Sequence, residues 1–108
     1  MLISNHDIEN ISVEEIKKAM ENGSILLDIR AKEDYNDVHI TNAINIPFQS
    51  LRCELNQLDK DKEILVICYI GESSKRATYL LRQLGFNAKN IHGGMNAWKQ
   101  YEINIRER

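Results

Sequence analysis

The sequence contains only two cysteines, Cys53 and Cys68, and they lie fifteen positions apart. This separation matches neither a CxxC redox pair nor the ligand spacing of a zinc site, so we predict that the protein binds no metal and needs no cofactor. A disulfide between the two cysteines is the weaker alternative, because cytosolic thiols are kept reduced and nothing else in the sequence indicates secretion.

The sequence also lacks an excess of charge of either sign. Fourteen Lys and Arg residues face sixteen Asp and Glu residues, which gives a net charge of −2, and the two signs are interspersed along the chain. This pattern argues against a nucleic-acid-binding or membrane-binding surface. We therefore expect a small molecule or another protein as the ligand.

Long apolar runs are missing as well. No run approaches the roughly 18 residues of a membrane-spanning helix, and residues 1–7 contain neither the basic nor the apolar region of a secretion signal. We expect a cytoplasmic protein that makes no membrane contact. With 108 residues, of which 43% are hydrophobic, the chain suits one domain over residues 1–108 with a single core.

What the sequence does contain is a regular alternation of apolar runs and helical segments. The predicted strands span residues 25–29, 43–46, 64–67 and 88–91, and the predicted helices span 13–21, 31–37, 48–55, 74–84 and a segment around Trp98. The first helix carries a capping-box pattern from Ser12 to Glu15. Strands that alternate with helices predict an α/β fold with a mostly parallel central sheet and helices on both faces.

The most informative local pattern surrounds Cys68. An apolar run ends at this cysteine, a short turn that contains Gly71 follows, and an amphipathic helix begins near Ser74. A helix N-terminus directs backbone N–H groups and the positive end of the helix dipole toward the preceding turn, and both stabilise an anion. We therefore predict that Cys68 is a nucleophile whose thiolate is stabilised by the loop.

Three separate motifs give the chain a resemblance to a known family. They are Asp28-x-Arg30 followed by His39-Ile40 and Ile46-Pro47, then Cys68 with Gly71 and Ser74, and finally Gly93-Gly94 followed by Trp98. In this order and spacing they resemble the rhodanese-like domain in its single-domain form, over about residues 11–98.

The resemblance implies a sulfurtransferase. In that family the loop cysteine accepts a sulfane sulfur as a persulfide and passes it to cyanide or a thiol, so Cys68 is the expected carrier. Thiosulfate or another persulfide is the implied donor, and a protein partner in a sulfur relay is a further possibility. The backbone N–H groups from Tyr69 to Ser73 are the expected anion cradle. The residues expected to contact the substrate are Tyr69, Ile70, Gly71, Glu72, Ser73, Ser74 and Arg30.

The loop departs from the family pattern in its charge. The family often has an arginine directly after the cysteine and a basic residue at the end of the loop, whereas this chain has Tyr69 and Ser73, with the acidic Glu72 before the latter. We expect repulsion between Glu72 and a thiosulfate dianion to weaken binding by about 1–4 kcal/mol. Lys75 and Arg76, just beyond the loop, could partly restore the balance.

Two other functional classes stay open at this point. Cys68 could be an inert buried strand residue, and the domain would then be an inactive module that binds a protein partner through an exposed rim of Tyr69 and Ile70. A cysteine-dependent phosphatase is the third alternative. Against it, the six-residue loop from Cys68 to Ser73 is one residue shorter than in the phosphatase relatives and lacks a phosphate-binding arginine.

The charged residues outside the loop are expected to be mainly structural. Asp28 and Arg30 flank one strand end, and we favour an ion pair between them over substrate contact, although Arg30 is the one candidate cation remote from the loop. His39 and His92 are predicted to be hydrogen-bonded structural residues, because a thiolate mechanism needs no separate general base.

The remaining candidates are assigned to packing. Cys53 is predicted to pack beside Leu51 and Leu55 rather than to act as a resolving thiol. Trp98 and Tyr101 are predicted to form the core and rim of the last helix rather than a binding platform.

Overall fold

The computed structural model describes residues 8–106. Its strands are β1 (Asn10–Ile11), β2 (Ile25–Asp28), β3 (Ile44–Asn45), β4 (Glu63–Ile67) and β5 (Asn87–Ile91). They form one parallel sheet in the order β1-β5-β4-β2-β3. The strand that leads to Cys68, β4, therefore lies at the centre of the sheet, where both of its edges are paired.

The helices follow the strands in the predicted alternation. They are α1 (Ile16–Glu21), α2 (Lys32–Asp37), α3 (Glu72–Gln83) and α4 (Gly94–Arg106), with 3₁₀ turns at Val13–Glu15, Phe48–Cys53 and Leu55–Gln57. The predicted α/β class with a parallel sheet is confirmed. Within residues 8–106, no helix has the length and apolar character needed to cross a membrane.

The two faces of the sheet are covered by separate apolar clusters. Ile64, Val66 and Cys68 lie in the cluster that includes the buried side of α3, whereas Leu65 and Ile67 lie in the cluster that includes α1 and the start of α4. This division follows from the two-residue period of a strand, which sends successive side chains to opposite faces. Cys68 continues the row that faces α3, and its sulfur therefore lies below the first turn of that helix.

The N-terminal end of the first predicted helix differs from the expectation. The chain enters α1 through a 3₁₀ turn, Val13–Glu15, and the side chain of Ser12 caps no backbone N–H group. Instead, the Ser12 hydroxyl lies 3.4 Å from Oε1 of Glu15. The predicted capping box is wrong because the hydroxyl group pairs with the carboxylate rather than accepting from the backbone.

The segment predicted as a helix over residues 48–55 folds as 3₁₀ turns. A three-residue period places Phe48, Leu51 and Glu54 on one face, and Leu51 is fully buried there. Cys53 falls outside this face and is exposed. The predicted packing role of Cys53 is therefore wrong.

The packing of α4 is as predicted from the sequence, and α3 differs mainly in where it begins. Trp98 and Tyr101 are half-buried and pack against the cluster that contains Met95, as predicted. The helix after Cys68 begins two residues earlier than expected, at Glu72. Glu72 and Ser73 therefore belong to the first helical turn, and the turn between β4 and α3 is correspondingly short.

Candidate active site

The sulfur of Cys68 lies in a pocket of backbone N–H groups. The Gly71 N–H donates to Sγ at 3.1 Å and the Ser74 N–H donates to it at 3.4 Å. Gly71 has a φ of +93°, a left-handed conformation that glycine adopts without strain. Hydrogen bonds to an ionised acceptor are roughly twice as strong as neutral ones, so these two donors can stabilise negative charge that develops on the sulfur.

A second helix holds the other side of the loop backbone. The Met95 N–H donates to the carbonyl oxygen of Cys68 at 2.8 Å, and the Asn96 N–H donates to that of Tyr69 at 3.0 Å. These donors belong to the first turn of α4, where N–H groups have no partner within the helix. The start of α4 thus fixes the loop carbonyls, while the start of α3 faces the sulfur.

Ser74 contacts the sulfur from the protein interior. Its side chain is fully buried, and the Cys68 thiol donates to its Oγ at 3.2 Å. The family resemblance predicts Ser74 as a substrate contact. In the structure its hydroxyl is directed into the core instead, because the first turn of α3 lies over the Cys68 row of the sheet. Cys68 itself is 6% exposed.

Asp28 and Arg30 form the ion pair that the sequence analysis favoured. The guanidinium donates to both carboxylate oxygens, with Nη2 at 2.7 Å from Oδ2, and Nη2 also donates to the Val38 carbonyl oxygen at 2.6 Å. Burial lowers the pKa of Arg30, but the hydrogen bonds and charge of Asp28, together with Tyr69, outweigh burial, and the pKa is raised overall. The charge of Arg30 is therefore largely neutralised within the protein.

Tyr69 and Ile70 form the exposed rim predicted from the sequence. Their exposed fractions are 43% and 58%. The Tyr69 ring lies under the guanidinium of Arg30, whose Cζ is 5.4 Å from the ring centre. A hydrogen bond to the Asp34 carboxylate raises the pKa of the Tyr69 hydroxyl, because a nearby negative charge disfavours the phenolate. Arg30 thus contacts the rim through an aromatic ring.

The acidic residue of the loop is farther into solvent than expected. The Glu72 side chain is 71% exposed and its carboxylate lies 3.7 Å from Nζ of Lys75. The repulsion expected for a desolvated carboxylate is therefore too large, because water and a neighbouring cation screen this charge. Ser73 is half-buried, and it lines a shallow pocket of about 350 Å³ together with Glu72, Lys75 and Arg76.

His39 has local structural contacts. It is exposed, its Nδ1 lies 2.7 Å from the carbonyl oxygen of Tyr35, and its ring stacks on the Tyr35 ring with the centres 3.8 Å apart. Tyr35 in turn donates its hydroxyl to the carbonyl oxygen of Ala43. These contacts connect the end of α2 to the segment before β3.

Sequence reasoning missed Asn90. This residue lies on β5, opposite Val66 of β4, and is fully buried. Its Oδ1 accepts the Ser74 hydroxyl at 2.5 Å. The available indication was a polar residue within the predicted strand 88–91, because a buried polar group needs a hydrogen-bond partner.

A larger cleft lies elsewhere on the molecule. It has a volume of about 760 Å³ and includes Ile16, Met20, Ile40 and Trp98 in its lining, but none of the residues 68–74. Within residues 8–106, no group of three His, Cys, Asp or Glu side chains is placed to hold a metal ion. Both cysteines are free thiols. The chemistry therefore points to the Cys68 loop as the candidate active site.

The fold and the loop define an α/β domain that presents a cysteine to the N-terminus of a helix. This chain belongs to the rhodanese-like domain family, whose model matches residues 12–101. The matched range covers every strand except β1 and contains the whole Cys68 loop.

Relatives and solved structures agree with this assignment. The chain is 32% identical over 94 residues to the thiosulfate sulfurtransferase GlpE of Shewanella oneidensis, covering 85% of this chain and 93% of that protein. It is 38% identical over 95 residues to the adenylyltransferase and sulfurtransferase uba4 of Ogataea parapolymorpha, covering 85% of this chain but 24% of that longer protein.

Among solved structures, a rhodanese-related protein from Thermoplasma volcanium superposes with a TM-score of 0.80 at 31% identity, covering 86% of this chain and 92% of that one. Relatives named as sulfurtransferases support a role in sulfur transfer.

Proposed function

We propose that the protein is a sulfurtransferase in which Cys68 carries a sulfane sulfur as a persulfide. The observation that carries this proposal is the pair of backbone N–H groups, from Gly71 and Ser74, that donate to Sγ. They stabilise the charge of a thiolate without a metal or a fixed counter-ion.

In the loading step, the Cys68 thiolate attacks the outer sulfur of thiosulfate. The bond between Sγ and that sulfur forms, the S–S bond of thiosulfate breaks, and its electron pair leaves with sulfite. The same attack on a low-molecular-weight persulfide releases a thiolate instead. In both cases the product is Cys68–S–S⁻, whose charge is on the outer sulfur.

In the discharge step, cyanide or a thiolate attacks the outer sulfur. The Sγ–S bond breaks and its electron pair returns to Sγ, which is again a thiolate in contact with the N–H groups of Gly71 and Ser74. The N–H groups of Glu72 and Ser73 lie in the first turn of α3, where they have no acceptor within the helix. These groups are available to the charge on the outer sulfur.

The rim favours a donor or acceptor carried by a protein as well as a free one. Tyr69 and Ile70 present exposed apolar surface beside the nucleophile, and such surface is typical of contact sites. Among the relatives, the protein from Bacillus subtilis that is 32% identical over 94 residues is named a putative sulfur carrier protein. A sulfur relay between proteins fits both features.

The test is the mass of the intact protein after incubation with thiosulfate and, separately, with glutathione persulfide. We expect one added sulfur in the wild-type protein and its removal by cyanide or a thiol. Cys53→Ser is the matched control, because Cys53 is the second free thiol and lies outside the loop. It should gain the sulfur as the wild type does, whereas Cys68→Ser should gain none.

Two results would defeat the proposal. One is a sulfur adduct that persists in Cys68→Ser, because the carrier would then be another residue. The other is the absence of an adduct from both donors, which would favour an inactive module that binds a partner through Tyr69 and Ile70.

A further inference from the structure

A series of hydrogen-bonded polar side chains connects Cys68 to the edge of the sheet. The Cys68 thiol lies 3.2 Å from Ser74 Oγ, Ser74 Oγ lies 2.5 Å from Oδ1 of Asn90, and Nδ2 of Asn90 lies 2.7 Å from Oδ1 of Asn10. Ser74 and Asn90 are fully buried. Asn10, on β1, is exposed.

The direction of each hydrogen bond in this series of side chains follows from the number of protons that each group can donate. A serine hydroxyl has one proton to donate, and an amide oxygen has none. Because Nδ2 of Asn90 donates to Asn10, its Oδ1 faces Ser74, and the single Ser74 proton is committed to Asn90. Ser74 therefore offers Cys68 a lone pair, which suits a thiol and opposes a thiolate.

We infer that Asn90 is a positioning residue that controls the charge on Cys68 by holding the Ser74 hydroxyl proton away from the sulfur. When Cys68 is a thiol, the Ser74 hydroxyl proton is donated to Oδ1 of Asn90. When Sγ becomes a thiolate, the hydroxyl turns and donates to the sulfur, and Oδ1 of Asn90 loses its donor. Ionisation of Cys68 therefore costs one buried hydrogen bond.

If the protein acts as proposed above, the position of the Ser74 hydroxyl proton also affects sulfur transfer. In the persulfide, Sγ carries neither a proton nor the charge, so the Ser74 proton stays with Asn90. During discharge, the electron pair of the breaking S–S bond arrives at Sγ. The hydroxyl of Ser74 then turns to the sulfur and adds a third donor to those of Gly71 and Ser74.

Asn10 determines which way the Asn90 amide faces. Its Oδ1 accepts from Nδ2 of Asn90, and its own Nδ2 lies 3.5 Å from the carbonyl oxygen of Ile8. Without an acceptor at position 10, the Asn90 amide can flip and donate to Ser74 Oγ, which frees the hydroxyl for the sulfur. An ionised Asp at position 10 has acceptor oxygens and no proton to donate, so it keeps the Asn90 amide in its present orientation.

Other titratable groups near the loop have their own partners or are exposed. Asp28 pairs with Arg30, and Glu72 with Lys75. The pKa of the Tyr69 hydroxyl is raised mainly by Asp34, and His92, which follows β5, is exposed. None of these side chains donates to or accepts from the Cys68 sulfur among the described hydrogen bonds.

The experiment measures the rate of alkylation of Cys68 by iodoacetamide across a pH series, in a Cys53→Ser background. Alkylation needs no sulfur donor, so it tests the role of Asn90 even if sulfur transfer fails. In Asn90→Leu, which has no acceptor for the Ser74 proton, we expect the midpoint of the pH profile to fall by about half to one pH unit.

One matched pair and one control variant sharpen the test. Asn10→Leu should lower the midpoint, whereas Asn10→Asp should leave it at or above the wild-type value, and these exposed substitutions decide the question if Asn90→Leu does not fold. Thr78→Val removes another buried hydroxyl of α3, which donates to the Ser74 carbonyl oxygen at 2.7 Å, and should leave the midpoint unchanged. A midpoint that does not fall in Asn90→Leu, or in Asn10→Leu if the first variant is unfolded, overturns the inference.

Discussion

The backbone of residue 94 lies directly against the carbonyl group of Cys68: a Cβ added to Gly94 would be 2.5 Å from the Cys68 carbonyl oxygen. It would also be 2.6 Å from the carbonyl carbon and oxygen of Tyr69. Real side chains do not tolerate such distances to backbone atoms, so the close approach of α4 to the loop requires glycine.

Gly94→Ala is therefore expected to displace the loop. The clash, together with the left-handed φ of +57°, should lower the free energy of unfolding by about 2–4 kcal/mol. Alkylation of Cys68 at neutral pH should slow about tenfold, because losing one N–H donor to a charged sulfur costs at least about 1.5 kcal/mol. Urea unfolding and intact-mass alkylation kinetics measure the two effects.

Gly23→Ala is the matched control for this substitution. Gly23 also has a positive φ, of +101°, but an added Cβ would meet nothing within 4 Å. We expect a loss of about 1 kcal/mol from backbone strain alone and unchanged alkylation. Equal effects of the two substitutions on Cys68 would show that the contact with the loop is unimportant.

The buried ion pair of Asp28 and Arg30 should be strongly coupled. Arg30→Leu leaves a fully buried carboxylate without its cation, and we expect a loss of about 3–5 kcal/mol in the free energy of unfolding. In Asp28→Asn/Arg30→Leu no buried charge is left, so the double substitution should cost at least about 1 kcal/mol less than the sum of the single ones. Additive losses in a double-mutant cycle by urea unfolding would contradict this coupling.

The exposed charge of Glu72 should affect thiosulfate only modestly. Because Glu72 is in water and near Lys75, we expect Glu72→Gln to lower the KM for thiosulfate by about two- to threefold at low salt. Lys75→Gln should raise the KM by a similar factor. Steady-state kinetics at two ionic strengths measure both effects, and a tenfold or larger effect that persists in high salt would mean that Glu72 contacts the substrate directly.

Glu63 should make the stability depend on pH in the acid range. Its carboxylate lies 2.7 Å from Nζ of Lys89 and accepts the Ser24 hydroxyl at 2.8 Å, and the hydrogen bond to Lys89 is the main cause of its lowered pKa. A lowered folded-state pKa means that this stabilisation is complete above the unfolded value of 4.5 and is lost as the pH falls through the folded value below it.

Glu63→Gln removes this titration and keeps the size of the side chain. We expect the wild type to be more stable than the variant at pH 7, by under about 1 kcal/mol because the pair is partly exposed. The difference should shrink as the pH falls below 4.5 and disappear below the lowered folded-state pKa of Glu63. Urea unfolding of both proteins at several pH values checks this, and a difference independent of pH would exclude the carboxylate as its source.

The sheet and the position of the Cys68 loop between a central strand and a helix could be predicted because their patterns are local. The apolar run before Cys68 is a central strand, and the turn and helix after it need only neighbouring residues to be recognised. The same reasoning missed β1, Asn10–Ile11, because two residues carry no periodicity and this strand exists only by pairing with β5.

The parts of the site that could not be predicted depend on distant contacts. Asn90 becomes important only because β5 pairs with β4 and brings its side chain to Ser74. Cys53 was assigned to packing because its segment was assumed to be an α-helix, whereas the 3₁₀ geometry turns the residue outward. The direction of Glu72 likewise follows from where α3 starts.

The loop is held on both sides through main-chain atoms, and this has a consequence for how the domain can change over evolution. Backbone N–H groups at the starts of α3 and α4 donate to the Cys68 sulfur and to the loop carbonyls. Side chains in the loop can therefore be exchanged without removing these hydrogen bonds; the four positions are Tyr69, Ile70, Glu72 and Ser73. We therefore expect donor selectivity and the reactivity of Cys68 to vary independently. A library randomised at these four positions should yield altered donor selectivity among variants that keep a fully reactive cysteine.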